Sequence, residues 1–251
     1  MSLTKIAGFP FEIENRIVHV WVIRTDHATE PVVGEFQLVL DSQERERAAR
    51  YRFPKAQRSF ILSRGALRVL LGRYLNTSPA GIRFTYGANG KPSLADFASL
   101  RFNASHSGDF TALALTPDCE LGIDVEQIRP LTDLQEIANR FFCPEEALEL
   151  TSLSPEEQNQ AFFLCWTRKE AYVKAIGDGL SAPLNSFRVS LRPDQPARLI
   201  HLAKDREAAG AWMVDDLKLA AGYAAALAYR DAERPLHRFP LVEPADLLDL
   251  A

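Results

Sequence analysis

Near the middle of the chain lies the segment Glu120–Leu121–Gly122–Ile123–Asp124–Val125–Glu126–Gln127. Because strand side chains alternate between two faces, it predicts an apolar face and a second face carrying Gly122, Asp124 and Glu126. Two carboxylates on one face repel each other unless a cation lies between them, and their oxygens suit Mg²⁺. Gly122 would also let a ligand approach the backbone. The alternative is a solvated edge-strand face, and this segment alone does not decide between them.

Downstream, a helix is predicted over residues 156–176, ending at Gly177 and Gly179. At 100° per residue, its buried stripe contains Phe162, Phe163, Trp166, Val173 and Ile176. Glu170 and Lys174 fall on the rim of that stripe, where a carboxylate and an ammonium one turn apart suit a metal ion and a phosphate. The alternative is an ordinary i,i+4 pair worth about 0.3–0.5 kcal/mol.

The polar segment Phe102–Asn103–Ala104–Ser105–His106–Ser107–Gly108 separates two apolar stretches. It predicts a loop whose hydroxyls, imidazole and backbone N–H groups hold phosphate. The adjacent Ser and His also raise the alternative of a hydrolase with Ser105 or Ser107 as nucleophile. Neighbouring side chains seldom meet, however, and no Gly-x-Ser-x-Gly elbow is present. Further upstream, Gly90–Lys91–Pro92 predicts a glycine turn that presents a lysine.

Residues 44–73 form a basic segment within an otherwise acidic chain of net charge −4. Only Glu44 and Glu46 oppose its nine basic residues: Arg45, Arg47, Arg50, Arg52, Lys55, Arg58, Arg64, Arg68 and Arg73. Apolar residues recur here at helical spacing, with arginines on the border of the apolar face. The local positive field therefore predicts an anion-binding surface, while the overall charge argues against a nucleic-acid partner.

The order of predicted elements indicates an α+β fold. Helices are predicted near 42–50, 55–75, 132–141, 144–152 and 156–176. Strands are predicted near 17–24, 82–86, 100–104, 110–116, 120–127, 186–192, 198–202, 211–217 and 222–229. Because a long helix followed by short strands occurs twice, we expect two similar lobes, residues 1–117 and 118–230, related by a pseudo-two-fold axis with a cleft between them. Residues 231–251 are expected to wrap over the surface.

Composition places the chain among ordinary globular proteins, with 47% hydrophobic and 25% charged residues. No apolar run reaches the roughly 18–20 residues that cross a bilayer. The three cysteines have no metal-ligand spacing, and the N-terminus lacks a signal-peptide pattern. A cytoplasmic protein with reduced thiols and no membrane partner is therefore expected.

Taken in order, these motifs resemble those of the larger, surfactin-synthetase-activating type of 4′-phosphopantetheinyl transferase. The family pattern is Gly-Lys-Pro, then Phe-Asn-x-Ser-His-Ser, then Gly-Ile-Asp-x-Glu, then Trp-x-x-Lys-Glu-Ala-x-x-Lys followed by Gly-x-Gly-Leu. This sequence matches it at Gly90–Pro92, Phe102–Ser107, Gly122–Glu126, Trp166–Lys174 and Gly177–Leu180. Residues 44–64 also look like the family's basic helix, although a lysine common near position 44 is replaced by Glu44.

The resemblance implies a monomer that binds coenzyme A in the cleft and transfers its 4′-phosphopantetheine to a serine of an apo acyl or peptidyl carrier protein. The implied ligands of Mg²⁺, or of Mn²⁺ as a substitute, are Asp124, Glu126 and Glu170. Glu170 is also the implied base, directly or through a metal-bound water. The implied contacts to coenzyme A come from Lys91 and Pro92 at the adenine, from Ser105, His106 and Lys174 at the phosphates, and from Arg47, Arg58 and Arg64 at the 3′-phosphate.

Two alternatives to a transferase remain at this stage. One is a module that binds coenzyme A or a related nucleotide without turnover, and the other is the Ser-His hydrolase. A separate expectation concerns residues 127–142, where Ile128, Leu131, Leu134 and Ile137 recur at intervals of three. This spacing predicts either an apolar strip for a carrier helix or ordinary core packing, and Arg129 and Arg140 would steer an acidic partner.

Overall fold

The computed structural model of the chain describes residues 11–179, 182–202, 208–231 and 233–249. Leu180, the last residue of the family motif, lies outside the described residues, as do residues 1–10 of the predicted first lobe and the end of the predicted tail, residues 250–251. Among the helices in the described ranges, none is both long and apolar enough to cross a bilayer.

The first half of the chain builds an antiparallel sheet against one long helix and contains a separate two-stranded sheet. Its strands are β1 (Val18–Arg24), β2 (Phe84–Tyr86), β3 (Pro92–Leu94), β4 (Arg101–Ser107) and β5 (Phe110–Thr116). Its helices are α1 (Glu30–Leu38), α2 (Ser42–Ala49) and α3 (Pro54–Leu75). Helix α3 begins with proline at its first position and ends at Asn76 in the left-handed conformation, as good helix termini do.

The second half repeats this plan. It contains the strands β6 (Leu121–Gln127), β7 (Phe187–Val189), β8 (Leu199–Leu202), β9 (Trp212–Asp216) and β10 (Tyr223–Arg230). Its helices are α4 (Leu134–Phe141), α5 (Pro144–Thr151) and α6 (Pro155–Ile176). Helix α6 starts at a capping box between Ser154 and Glu157 and ends at Gly177, whose φ of 80° satisfies the left-handed cap.

Two main sheets carry the lobes. One has the order β11–β1–β5–β4, where β11 is Leu236–Arg238, and the other has the order β6–β10–β9. Separate apolar clusters surround α3 and α6, and a third cluster packs residues of β1 and β5 against residues of β6 and β10. The predicted α+β class and two similar lobes are thus confirmed, and an apolar interface joins the lobes. The boundary at residue 117 stays a prediction.

Three parts of the fold differ from the sequence-based predictions. The segment after Phe102, predicted as a loop, belongs to β4. Helix α1 and strand β3 were not predicted. Residues 236–248 do not merely wrap the surface: β11 pairs with β1 in parallel, the Phe239 ring stacks on Trp21 with centroids 3.7 Å apart, and helix α7 (Pro244–Leu248) buries Leu247 in the first core. Burial of these aromatic and aliphatic side chains explains the docking of the tail.

Candidate functional site

The site is built where α6 lies against β6. The predicted alternation along β6 is observed, since Leu121, Ile123 and Val125 lie in the core between the sheets. Helix α6 crosses the other face at Gly122, where a Cβ atom would lie 2.2 Å from the carbonyl oxygen of Ala171. Gly122 therefore admits the helix backbone, and the prediction that it admits a ligand is wrong. This close approach brings Glu170 and Lys174 to the acids of β6.

Asp124 lies at the centre of this junction. Its carboxylate is almost fully buried, and its Oδ1 atom accepts hydrogen bonds from Lys174 Nζ at 2.6 Å and from Ser105 Oγ at 2.9 Å. Lys174 also donates to Ser105 Oγ at 2.9 Å. The ammonium is thus fixed between α6, β4 and β6, and its ion pair is with Asp124 rather than with Glu170 one turn away on the helix.

Glu126 and Glu170 complete an acidic cluster around Asp124. Ser107 donates a hydrogen bond to Glu126 Oε2 at 2.9 Å. Removal from solvent is the larger cause that raises the pKa of Glu126, and the negative charge of Asp124 is the second. The pKa of Glu170 is raised by the same two causes in the same order, and Glu126 adds to the shift while Lys174 opposes it. Mutual repulsion of this kind is expected of carboxylates that share one site.

The cluster offers the oxygen ligands that Mg²⁺ prefers. With Oδ1 of Asp124 engaged by Lys174 and Ser105, its buried Oδ2 has no hydrogen-bond partner. A buried carboxylate oxygen left without a partner is costly, and a cation would satisfy it. In the arrangement seen, however, no three or more His, Cys, Asp or Glu side chains of the described ranges are placed so that they could hold a metal ion, and Lys174 balances the charge of Asp124 instead. The three acids fit Mg²⁺ by the chemistry of their oxygens and by their charge.

The Ser-His segment contributes to the site as a strand. Its residues alternate: Phe102 and Ala104 pack on the first core, while Asn103, Ser105 and Ser107 bond to β6. The prediction of a loop is wrong because this period-two pattern was present but hidden by the small polar side chains. Ser105 and His106 consequently point to opposite faces, and the His106 Nδ1 atom lies 3.5 Å from Ser59 Oγ instead. A Ser-His nucleophile pair is not formed.

His106 lies on the face towards the basic segment. Partial desolvation of its imidazole and then the positive charges of Lys174 and Arg47 lower its pKa. The contact with Ser59 places His106 against the basic segment, and the charge of Lys174 reaches it from the acidic cluster.

A cleft of about 410 Å³ opens between the lobes at the start of β6, and the acidic cluster does not line it. Lys91, Pro92 and Phe102 line it from the first lobe, and Leu121 and Gly177 line it from the second. The Lys91 ammonium does not extend into open space. It donates to the carbonyl of Ala175 at 2.6 Å and to that of Leu121 at 3.3 Å, and burial lowers its pKa. Lys91 therefore borders the cleft and also ties the turn before β3 to the end of α6 and the start of β6.

The three arginines proposed for the 3′-phosphate differ in their surroundings. Arg58 is paired with Glu30, and Arg64 is paired with Glu44 while its guanidinium lies 4.0 Å from the centre of the Phe84 ring. Arg47 is exposed, with its guanidinium 5.1 Å from the Phe60 ring. Glu44, which departs from the family pattern, is buried and also binds Arg68 at 2.6 Å. Of these three arginines, Arg47 is therefore the one whose positive charge is least neutralised by nearby carboxylates.

Residues 128–137 show features of both predicted alternatives, the accessible strip for a carrier helix and ordinary core packing. Ile128, Leu131, Leu134 and Ile137 are each half-buried and pack against the second core. Only Ala138 is buried within α4. The apolar strip therefore contributes to core packing while leaving part of each side chain accessible.

Two residues that shape the site were not correctly placed by sequence reasoning: Asn103 received no role of its own, and Ser107 was assigned to a phosphate-binding loop. The alternation along residues 102–107 was the signal that would have identified their common face. The ammonium contacts of Lys91 had no local signal, because its carbonyl partners lie 30 and 84 residues away in the sequence.

Comparison with known proteins agrees with this arrangement. Residues 120–228 match the model of the 4′-phosphopantetheinyl transferase superfamily, and residues 29–118 match that of the 4′-phosphopantetheinyl transferase N-terminal region. The chain is 43% identical over 185 residues to the 4′-phosphopantetheinyl transferase HetI of Nostoc sp., covering 72% of this chain and 77% of that protein. It is 33% identical over 159 residues to the 4′-phosphopantetheinyl transferase Sfp of Bacillus subtilis, covering 63% and 70%. The chain belongs to the 4′-phosphopantetheinyl transferase superfamily and is a transferase of 4′-phosphopantetheine from coenzyme A to carrier proteins.

Proposed function

We propose that this transferase is Mg²⁺-dependent and that Asp124, Glu126 and Glu170 hold the ion. A serine hydroxyl of the apo carrier attacks the β-phosphorus of coenzyme A, the bond to the adenosine-side phosphate oxygen breaks, and 3′,5′-adenosine bisphosphate leaves. The observation that carries the proposal is the convergence of three carboxylates and Lys174 at the junction of β6 and α6. Bound there, Mg²⁺ would neutralise charge on the pyrophosphate oxygens.

The chain's own groups supply the remaining chemistry. Lys174 is held in place by Asp124 and Ser105, so its ammonium is preorganised to stabilise charge that develops on the phosphate oxygens. Glu170 is the proposed base for the serine proton, directly or through a metal-bound water, because it lies among the proposed metal ligands where the carrier serine must attack. No covalent enzyme intermediate is required.

Coenzyme A fits the layout along β6. Leu121 borders the cleft and Asp124 follows three residues later, about 10 Å along an extended strand. We place the adenine in the cleft beside Lys91 and Pro92, and the pyrophosphate at Asp124 and Lys174. Ser105 and His106 then lie beside the phosphates, and Arg47 beside the 3′-phosphate. The alternative of a binding module without turnover is disfavoured because all three acids are retained together with the lysine.

The same proposal includes the partners and the state of the chain. We propose a monomer that acts on apo acyl or peptidyl carrier proteins in the cytoplasm, with neither membrane nor nucleic acid as a partner. The three free thiols, Cys119, Cys143 and Cys165, agree with a reducing compartment.

The test is incubation of the chain with coenzyme A, Mg²⁺ and a panel of apo carrier proteins, followed by mass measurement of each carrier. We expect one 4′-phosphopantetheine added to the carrier serine, release of 3′,5′-adenosine bisphosphate, and loss of the product when EDTA removes the metal. Full transfer in excess EDTA would overturn the metal dependence. Binding of coenzyme A with every carrier left unmodified would favour the binding module.

A further inference from the structure

We propose that Ser107 is a positioning residue that fixes the carboxylate of Glu126. It does so as the last rung of a side-chain ladder that joins β4 of the first lobe to β6 of the second. The inference deepens the proposed function, since it rests on Glu126 being a ligand of the metal.

The ladder takes the place of backbone pairing between the two strands. Strand β6 uses its backbone to pair with β10, and β4 pairs with β5. Across the gap between β4 and β6, three alternate side chains of β4 accept the backbone N–H groups of three alternate residues of β6. The pairs are Asn103 with Ile123 at 2.9 Å, Ser105 with Val125 at 3.4 Å and Ser107 with Gln127 at 3.1 Å.

The Ser107 rung has a second partner that the Asn103 rung lacks. While its Oγ atom accepts the Gln127 N–H, its hydroxyl proton is donated to Glu126 Oε2 at 2.9 Å. A hydroxyl has one proton and an ionised carboxylate only accepts, so the direction of both bonds is fixed. A Glu side chain has three rotatable bonds, and this contact restrains its end. Ser107 thereby couples the register of the strands to the position of one acid.

Backbone contacts also hold Ser107 in place, in addition to its side-chain hydrogen bonds. The turn that follows it contains Gly108, whose φ is 56° and whose Cβ, if present, would lie 2.4 Å from the Tyr223 hydroxyl. That hydroxyl also accepts the backbone N–H of Asp109 at 3.0 Å. The end of β4 is therefore held against β10 by its backbone. Removal of the Ser107 hydroxyl should release Glu126 without moving the strand.

The test measures binding of Mn²⁺ to the full chain in the presence of coenzyme A, by electron paramagnetic resonance and by calorimetry. Loss of a group that orients a metal ligand typically weakens metal binding by about 10–100-fold. We expect Ser107→Ala to weaken Mn²⁺ binding by this factor, with a corresponding rise in the Mg²⁺ concentration for half-maximal turnover. Ser107→Thr keeps the hydroxyl and should restore both.

Asn103→Ala is the matched control, because it removes a rung without touching an acid. It should lower the melting temperature while leaving Mn²⁺ binding within about 3-fold of wild type, below the effect expected for a lost orienting group. Equal weakening by Asn103→Ala and Ser107→Ala would mean that the ladder acts only as structure and would overturn the proposal. So would Mn²⁺ binding by Ser107→Thr as weak as that by Ser107→Ala.

A fourth variant separates this proposal from the proposed function. Glu126→Gln should weaken Mn²⁺ binding at least as much as Ser107→Ala. If Glu126→Gln binds Mn²⁺ normally, Glu126 is not a ligand and the metal assignment itself fails. If Glu126→Gln is impaired but Ser107→Ala binds Mn²⁺ normally, the metal assignment survives and the positioning role of Ser107 is overturned.

Discussion

The Lys174 ammonium lies 2.6 Å from Oδ1 of Asp124, although 50 residues separate them in sequence. The contact joins the last turns of α6 to the middle of β6, so it fixes where the helix delivers its polar side chains. It engages one oxygen of Asp124 and leaves the buried Oδ2 without a partner. The proposed function therefore gives the lysine and the metal different oxygens of one carboxylate, and both would contact the same pyrophosphate.

This arrangement depends on Gly122. We predict that Gly122→Ala lowers stability by about 1–3 kcal/mol or more, because its Cβ meets helix backbone and α6 must move. The shift also displaces Glu170 and Lys174 from Asp124, so turnover should fall even where the variant remains folded. Denaturant unfolding and steady-state kinetics measure the two effects.

Gly34→Ala provides the matched control for Gly122→Ala. Gly34 lies in α1, and a Cβ there would have no neighbour within 4 Å. Alanine should therefore be neutral or stabilise the helix by about 0.5–1 kcal/mol, with unchanged turnover. A Gly122→Ala enzyme as stable and active as Gly34→Ala would contradict the close packing of α6 on β6.

The environment of the arginines predicts which of them binds the 3′-phosphate. Arg47→Ala should raise the KM for coenzyme A by about 10-fold or more, since a hydrogen bond to a charged group contributes roughly 1.5–3 kcal/mol. The KM for dephospho-coenzyme A should not change, and the difference should shrink as ionic strength rises. Arg58→Ala is the comparison variant, because Glu30 already pairs with Arg58. A larger effect of Arg58→Ala than of Arg47→Ala, confined to coenzyme A, would reverse the assignment.

The lowered pKa of His19 predicts that the stability of the fold depends on pH. The His19 Nδ1 atom lies 2.6 Å from the Tyr74 hydroxyl, and burial, followed by the charge of His237, lowers its pKa from 6.5 to about 4. Between pH 6.5 and about pH 4, His19 is therefore protonated in the unfolded chain but remains neutral in the folded chain. Stability should fall across that window by at most about 3 kcal/mol, at 1.36 kcal/mol per pKa unit. Urea unfolding of His19→Gln should show a shallower loss between pH 6.5 and 4, and an identical pH slope would contradict the assignment.

Because Leu134 is half-buried, a substitution there can test whether its segment contacts the carrier or packs in the core. If residues 127–142 contact the carrier, Leu134→Glu should raise the KM for carrier and leave the KM for coenzyme A and the melting temperature near wild type. If packing dominates, the variant should lose stability because a buried charge without a partner is costly. Leu148→Glu on the neighbouring helix α5 controls for added charge, since Leu148 is 73% exposed. A destabilised Leu134→Glu with an unchanged KM for carrier would assign the strip to the core.

Much of the fold was predictable because many of its helices and strands follow from patterns within a single segment of sequence. The alternation along Leu121–Gln127 and the helical spacing of Phe162, Trp166 and Val173 are properties of single segments, and both elements formed where expected. Such patterns carry this information because strand and helix periods are fixed by backbone geometry. The meeting of Asp124, Glu170 and Lys174 in one site was instead implied by the resemblance to the transferase family.

The remainder could not be predicted because it arises from contacts between distant segments. Nothing local distinguishes a glycine that admits a ligand from Gly122, which admits a helix. The docking of Phe239 on Trp21 joins the two ends of the sequence, and a proline-containing tail has the pattern of a loop until its partner strand is known. Ser107 was likewise assigned to a phosphate loop, because its two partners lie on β6.

Turnover of Asp124→Ala at saturating Mg²⁺, coenzyme A and carrier tests the metal assignment most directly. Asp124 contacts Lys174 and Ser105 and contributes the unpartnered buried oxygen, so its loss removes a preorganised electrostatic contact. We predict that kcat falls by at least about 100-fold, the scale of losing one such contact, and that added Mg²⁺ does not restore it. Circular dichroism should confirm that the variant is folded. Near-normal turnover by folded Asp124→Ala would contradict the account.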